Sequence, residues 1–174
     1  MSKVTIRPTG RESPFTEDEI IVTKTDLKGR ITYANDVFLR VSRLTPREAI
    51  GQPHSVIRHP DMPRAIFKLL WDTLEAKQEL FAYVVNLASN GDHYWVFAHV
   101  TPSFDAQGNV IGYHSSRRKP DPAQVERIKP IYRQLLKEEQ APPNRKEGML
   151  SAYDQLFSML RSQGVGYDQF VLAL

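Results

Sequence analysis

The feature that most constrains this chain is Asn90-Gly91-Asp92, placed between two β-prone runs at 80–87 and 93–104. Asn and Gly both tolerate positive φ, so the pair predicts a tight turn whose twist matches the strands it joins. A long hairpin needs further strands or a helix to bury one of its faces. The chain supplies both. β-Branched residues at 20–25 and the run Ile31-Thr32-Tyr33-Ala34 flank Asp26-Leu27-Lys28-Gly29-Arg30, which predicts a second hairpin. Asp105 to Asn109, with Gly108, turns the chain into a fifth strand over 110–117.

Between the second and third strands the pattern becomes helical. Asn35 or Asp36 is placed to cap a short helix covering Phe38 and Val41. Thr45-Pro46-Arg47-Glu48 has the form of a capping box with Pro at the first helical position. Over 62–76, Ile66, Leu69, Leu70, Thr73 and Leu74 recur at helical spacing, and Phe67 and Trp71 widen the stripe. Past the sheet, Asp121 caps a helix reaching about residue 140, with Val125, Ile128, Tyr132, Leu135 and Leu136 on one face and a kink expected at Pro130. Met149, Tyr153, Leu156, Phe157 and Leu160 form another stripe, Gly164-Val165-Gly166 interrupts it, and Tyr167, Phe170, Val171 and Leu174 share a last face. The expected division is a flexible N-terminal arm at 1–14, a sensor domain at 15–119, an amphipathic helix at 120–140, a linker at 141–148 and a C-terminal helical segment at 149–174. The stripes must pack on the sheet or on another subunit, so they are equally candidate surfaces for a partner or a homodimer.

Composition narrows function mainly by exclusion. The chain is 41% hydrophobic and 25% charged, ordinary for a soluble protein with one core, and its formal net charge is +3. Its densest basic cluster, Arg117-Arg118-Lys119, reads as a solvated strand end, and no nucleic-acid motif accompanies it. There is no cysteine, which removes disulfides, thiolate metal sites, cysteine nucleophiles and flavin photochemistry through a cysteinyl adduct. No nucleophile–base pair, phosphate loop or zinc motif is visible, so catalysis is not expected. Without a signal-like N-terminus or an apolar window long enough to cross a bilayer, the expectation is a cytoplasmic protein with no direct membrane insertion.

A five-stranded antiparallel sheet interrupted after its second strand by short helices is an α+β arrangement that resembles the PAS fold. The local text is more specific. Ile31-Thr32-Tyr33-Ala34-Asn35-Asp36, Gly51-Gln52-Pro53-His54, Arg58-His59-Pro60-Asp61-Met62-Pro63 and Asn90-Gly91-Asp92-His93-Tyr94-Trp95-Val96, in this order, resemble the FAD-binding PAS domain of the bacterial aerotaxis receptor family. The resemblance runs from about residue 21 to 136 and includes Pro130-Ile131-Tyr132. It implies non-covalently held FAD, redox or oxygen sensing, and Asn35, Arg58, His59 and Asp61 as cofactor-binding residues. Leu80 stands where that family has a Trp, and the family's membrane anchor, linker and output domain are not seen. Signalling is therefore expected to pass to another protein in trans, such as a chemoreceptor or kinase.

Each of these residues also has a plainer reading. Arg58 suits a pyrophosphate because guanidinium offers paired donors and keeps its charge, yet it could instead pair with Asp61. His59 could donate to phosphate or ribose, or shape its own loop. Asp61 could bind a ribose hydroxyl or cap the helix expected from Met62. Asn35 could bind a ligand or serve only as a helix cap. Period-two alternation puts Leu80, Ala82, Val84 and Asn86 on one strand face and turns Phe81 to the other. A buried amide needs a partner, and a flavin edge would provide one for Asn86. Flavin N5 becomes a donor when reduced, and an amide can rotate to follow it. His54, His93, His99 and His114 lack metal-ligand spacing, although one of them or His59 could bind haem b iron. A haem-binding gas sensor and a ligand-free interaction module are the alternatives.

Overall fold

The computed structural model describes residues 6–174. Strands β1 (Ile21–Thr25), β2 (Ile31–Ala34), β3 (Leu80–Leu87), β4 (His93–Phe104) and β5 (Val110–Arg118) form one antiparallel sheet in the order β2-β1-β5-β4-β3. The register pairs Asn86 with Tyr94 across the β3–β4 hairpin and Ile21 with Arg117 across β1–β5. The expected hairpin forms, but of the Asn-Gly pair only Gly91, at φ +90, is left-handed, and the connection runs over residues 88–92 with the Gly91 amide donating to the Ala88 carbonyl at 2.9 Å.

Between β2 and β3 lie α1 (Asp36–Ser42), α2 (Pro46–Ala49), a 3₁₀ turn (His54–Ile57) and α3 (Arg64–Glu75). The Thr45–Glu48 capping box forms as expected. These elements cover the inner face of the sheet, where Phe38, Val41 and Ile57 pack with Ile21, Ile31, Tyr94, Val96 and Ala98.

Helices α4 (Pro122–Gln140), α5 (Arg145–Ser162) and α6 (Tyr167–Leu172) lie over the opposite face. Their stripes bury Ile128, Tyr132, Leu135, Leu156, Leu160 and Val171 in the cluster that also holds Tyr83 and Val85. The Tyr132 hydroxyl donates to the Tyr83 carbonyl, and that of Tyr167 donates to the Phe81 carbonyl at 2.9 Å. The apolar stripes of the C-terminal helices are thus used within the chain. α4 runs continuously through Pro130, and α5 begins at Arg145, capped by the Asn144 side chain, so the connection is shorter than the expected linker. Gly148 permits the tight α4–α5 contact, since a Cβ there would sit 2.0 Å from the Glu139 carbonyl oxygen.

Part of the stretch expected as a loose arm lies along the β3–β4 hairpin. The amides of Thr9 and Ser13 donate to the carbonyls of Gly91 and His93, each at 2.8 Å, and buried Ser13 donates to the Val41 carbonyl. Residues 1–5 of that arm fall outside the described part.

Candidate functional site

A cavity of about 300 Å³ lies between the inner face of the sheet and the α3 side of the helical layer. Its floor is formed by Thr23 of β1, Asn86 of β3, Val100 of β4 and Ser115 of β5, which period-two alternation turns to the same side. Phe67, Leu70, Trp71 and Leu74 of α3 form one wall, with His54 and Arg58 from the 3₁₀ turn and its end beside them. At one end Trp71 meets Tyr113 edge to face, with centroids 5.5 Å apart.

The five residues singled out from the sequence are placed in three different ways. Asn86 and Arg58 line this cavity. Asn86 is 5% exposed, and among the described residues its amide has no hydrogen-bond partner. Arg58 lays its guanidinium 4.0 Å from the centroid of the Phe67 ring and forms no ion pair with Asp61 among the described residues. His59 and Asp61 line a second cavity on the other side of the Arg58–Asn86 backbone pairing. His59 is buried and its Nδ1 accepts the Asp61 amide hydrogen at 3.0 Å, which shapes the loop. The Asp61 side chain is 79% exposed. It does not cap α3, which begins at Arg64 and takes its capping carboxylate from Glu139.

Asn35 lines neither cavity. Its Oδ1 accepts from the amides of Phe38 and Val22, both at 3.0 Å, and its Nδ2 donates to the Ile20 carbonyl at 2.8 Å. These bonds cap α1 and tie it to β1. Leu80, the departure from the aerotaxis pattern, is 2% exposed and clusters with Met62, Ile66 and Leu69 rather than lining the cavity. Phe81 faces the other side, as expected, and stacks on His99 at 4.2 Å.

Sequence reasoning missed the polar group behind the cavity floor. Arg117, read as part of a solvated strand end, is in fact 3% exposed. Period two on β5 puts it on the same face as Tyr113 and Ser115, and the inner face of a central strand is covered. Its guanidinium donates to Ser115 Oγ at 3.0 Å, to the Thr23 hydroxyl and to His54 Nε2 at 2.7 Å. This bond makes Nε2 an acceptor and leaves the ring proton on Nδ1. Burial, then the nearby Arg117 charge, pushes His54 down to about 3, so the imidazole is neutral. Burial also lowers Arg117, to about 10, which leaves it charged at neutral pH. Arg117 has no carboxylate partner among the described residues, and its Nη1 and the hydroxyl of Tyr94 are buried without hydrogen bonds. Burial raises the Tyr94 phenol, keeping it protonated and available as a donor.

The free Asn86 amide on the cavity surface, with the buried Arg117 charge bonded to its lining residues Thr23, His54 and Ser115, fits a flat ligand rich in carbonyl and ring-nitrogen acceptors, carrying partial or full negative charge. The unpaired Arg58 at the wall fits an acidic extension of such a ligand. The flavin ring and phosphates of FAD have this donor–acceptor character.

Comparison with known proteins defines the class. Residues 31–117 match the PAS fold family. The chain belongs to that family. It is 39% identical over 127 residues to the aerotaxis receptor of Escherichia coli K12, covering 73% of this chain and 25% of the receptor. It is 28% identical over 99 residues to the nitrogen fixation regulatory protein of Klebsiella pneumoniae, covering 57% of this chain and 20% of that protein. The chain therefore spans a quarter or less of the length of these relatives. Among solved structures, a PAS domain from Colwellia psychrerythraea superposes with a TM-score of 0.54 at 20% identity, covering 58% of this chain and 86% of the other. A light-oxygen-voltage domain studied with a flavin analogue gives 0.57 at 16% identity, covering 66% and 86%. At these identities the likeness is one of fold. No helix among the described residues is long and apolar enough to cross a membrane.

Proposed function

We propose that this chain is an FAD-binding redox or oxygen sensor that signals through a partner protein, such as a chemoreceptor or kinase, and does so without catalysis. The observation that carries the reading is the buried Asn86 amide on the surface of the inner cavity, which has no hydrogen-bond partner among the described residues, with Arg58 beside it and the buried charge of Arg117 bonded to the lining residues Thr23, His54 and Ser115. A buried unsatisfied amide costs about 1–3 kcal/mol, and an acceptor-rich ring bound against Asn86 would relieve that cost. The 39% identity to an aerotaxis receptor supports the same reading.

Asn86 and Arg58 would hold the flavin, with Arg117 and His54 setting the charge beneath it. When bound, FAD supplies reversible electron transfer coupled to protonation of its ring. The Asn86 amide offers a donor on one side and an acceptor on the other, so its rotation matches either protonation state. Arg117 remains charged and favours negative charge in the cavity, while neutral His54 adds none of its own. A cytoplasmic setting and a homodimer belong to the same proposal.

Haem b is less well supported, because the histidine on this cavity already has its Nε2 engaged by Thr23 and Arg117. The visible spectrum of freshly purified protein, followed by heat release of the chromophore, tests the reading. Flavin bands and FAD released in near-equal proportion to protein are expected. A Soret band would replace FAD with haem, and a colourless protein that takes up no added FAD would leave a ligand-free interaction module.

A further inference from the structure

One end of the sheet carries a contiguous group of exposed apolar side chains. The β1–β2 and β4–β5 turns meet there, since a Cβ on Gly112 of β5 would lie 2.3 Å from the Thr25 carbonyl oxygen and 3.7 Å from the Asp26 Cα. Gly29 of the first turn packs on Trp71, and a Cβ there would sit 3.2 Å from the indole Cη2. Trp71 in turn meets Tyr113 of β5, and Phe104 of β4 pairs with Val110 at the base of the second turn. These contacts bring Leu27, Trp71, Phe104 and Ile111 to the same end.

Leu27, Phe104 and Ile111 are each about half exposed, and Trp71 is 36% exposed. The register explains Ile111. Ser103 pairs with Gly112 and Phe104 with Val110, which leaves Ile111 as the extra residue of a bulge, without a cross-strand partner. Single exposed apolar residues are ordinary, whereas a contiguous group marks a contact surface.

The surrounding charges are of both signs. Lys28 stands beside Leu27 in the first turn, Asp105 lies in the second, and Glu75 follows Trp71 by one helical turn on α3. None of the three enters an ion pair among the described residues. An anionic bilayer would meet the carboxylates of Asp105 and Glu75. A second copy meets a better match, because a two-fold axis sets the Lys28 side of one surface against the acidic side of the other.

We propose that this end of the sheet is the contact surface of a homodimer, in which two copies bury Leu27, Trp71, Phe104 and Ile111 against each other. This assigns a surface to the homodimer proposed above and does not rest on bound flavin, so the failure of either leaves the other standing. Lys28, Trp71 and Tyr113 also line the inner cavity, so the second copy sits beside that cavity's own lining.

Sedimentation velocity of the full chain over a dilution series, repeated with the Leu27→Asp/Ile111→Asp variant, tests it. Both positions are exposed, so the variant is expected to keep its fold, checked by circular dichroism. Wild type is expected to form a concentration-dependent dimer, and the variant to associate about tenfold or more weakly. The chain has no cysteine, so Ile111→Cys should give a covalent dimer on copper-catalysed oxidation, whereas Leu150→Cys, exposed on α5, should not. A wild type that stays monomeric at every concentration would overturn the proposal, including one that binds phosphatidylserine vesicles instead. So would a dimer that the folded variant forms undiminished, or one that cross-links through Leu150→Cys and not through Ile111→Cys.

Discussion

The carboxylate of Glu139, near the end of α4, accepts the backbone N–H of Ala65 in the first turn of α3 at 2.7 Å. Pro63 at the start of α3 offers no side-chain cap, so this carboxylate satisfies an otherwise orphaned donor from 74 residues away. α3 carries Phe67, Leu70, Trp71 and Leu74 of the cavity wall. The bond therefore joins the C-terminal helical layer directly to the element that lines the inner site. Burial raises the Glu139 carboxyl, while the Ala65 amide and the charges of Arg64 and Arg58 act against that rise.

Glu139→Ala removes the acceptor and should cost about 1–3 kcal/mol of unfolding free energy. Glu139→Gln keeps an acceptor and sheds a charge that is costly to bury, and should stay within about 1 kcal/mol of wild type. Urea denaturation at pH 7 measures both. Equal losses in the two variants would show that the negative charge, rather than the hydrogen bond, holds the joint.

His54 predicts an acid-sensitive fold. Its folded pKa lies near 3, below the unfolded value of 6.5, so its contribution is fully present above 6.5. As pH falls through that interval the unfolded chain takes up a proton that the folded chain refuses, and stability declines by at most about 1.4 kcal/mol per unit for this group. Burial lowers His59 and His114 in the same direction. Denaturation at pH 7 and pH 5 should show a stability loss that is smaller in His54→Asn. An identical loss in the variant would remove His54 from the account.

Gly148→Ala reverses an ordinary expectation. Within an exposed helix the change stabilises by up to about 1 kcal/mol, because Ala orders at lower entropic cost. Here the new Cβ meets the Glu139 carbonyl at 2.0 Å, and backbone cannot yield cheaply. A loss of about 1–3 kcal/mol and a lower Tm are expected. A raised Tm would show that α4 and α5 are spaced more widely.

Asn35 and Asn86 should separate by readout. Asn35→Ala breaks the α1 cap and its ties to β1, so it should lower stability by about 2 kcal/mol with or without flavin. Asn86→Ala removes a buried amide without a protein partner and should leave the flavin-free Tm unchanged or raised. With flavin bound, Asn86→Ala should shift the reduction potential. Thermal melts and potentiometric titrations check both residues.

Much of this was legible in the sequence because local chemistry decided it. Asn90-Gly91 set the main hairpin, Thr45 and Glu48 set α2, and period two put Asn86 on the covered face of β3. What depended on distant partners was not legible. Arg117 was hidden because Thr23 and His54, which hold it, lie 94 and 63 positions away. Asp61 stood where a cap was wanted, but Glu139 supplied it from another layer. The stripes of α4 and α5 announced burial without naming the surface, and it proved to be the outer face of the chain's own sheet.

The most direct test of the central claim is to fill the inner cavity and count bound flavin. Val100 lies on its floor, and Val100→Trp places an indole where the ring would bind. FAD per protein is measured after heat release, with circular dichroism confirming the fold of each sample. Near one FAD per wild-type chain and almost none in the folded variant are expected. Undiminished FAD in Val100→Trp, or none in the wild type even after added FAD, would contradict it.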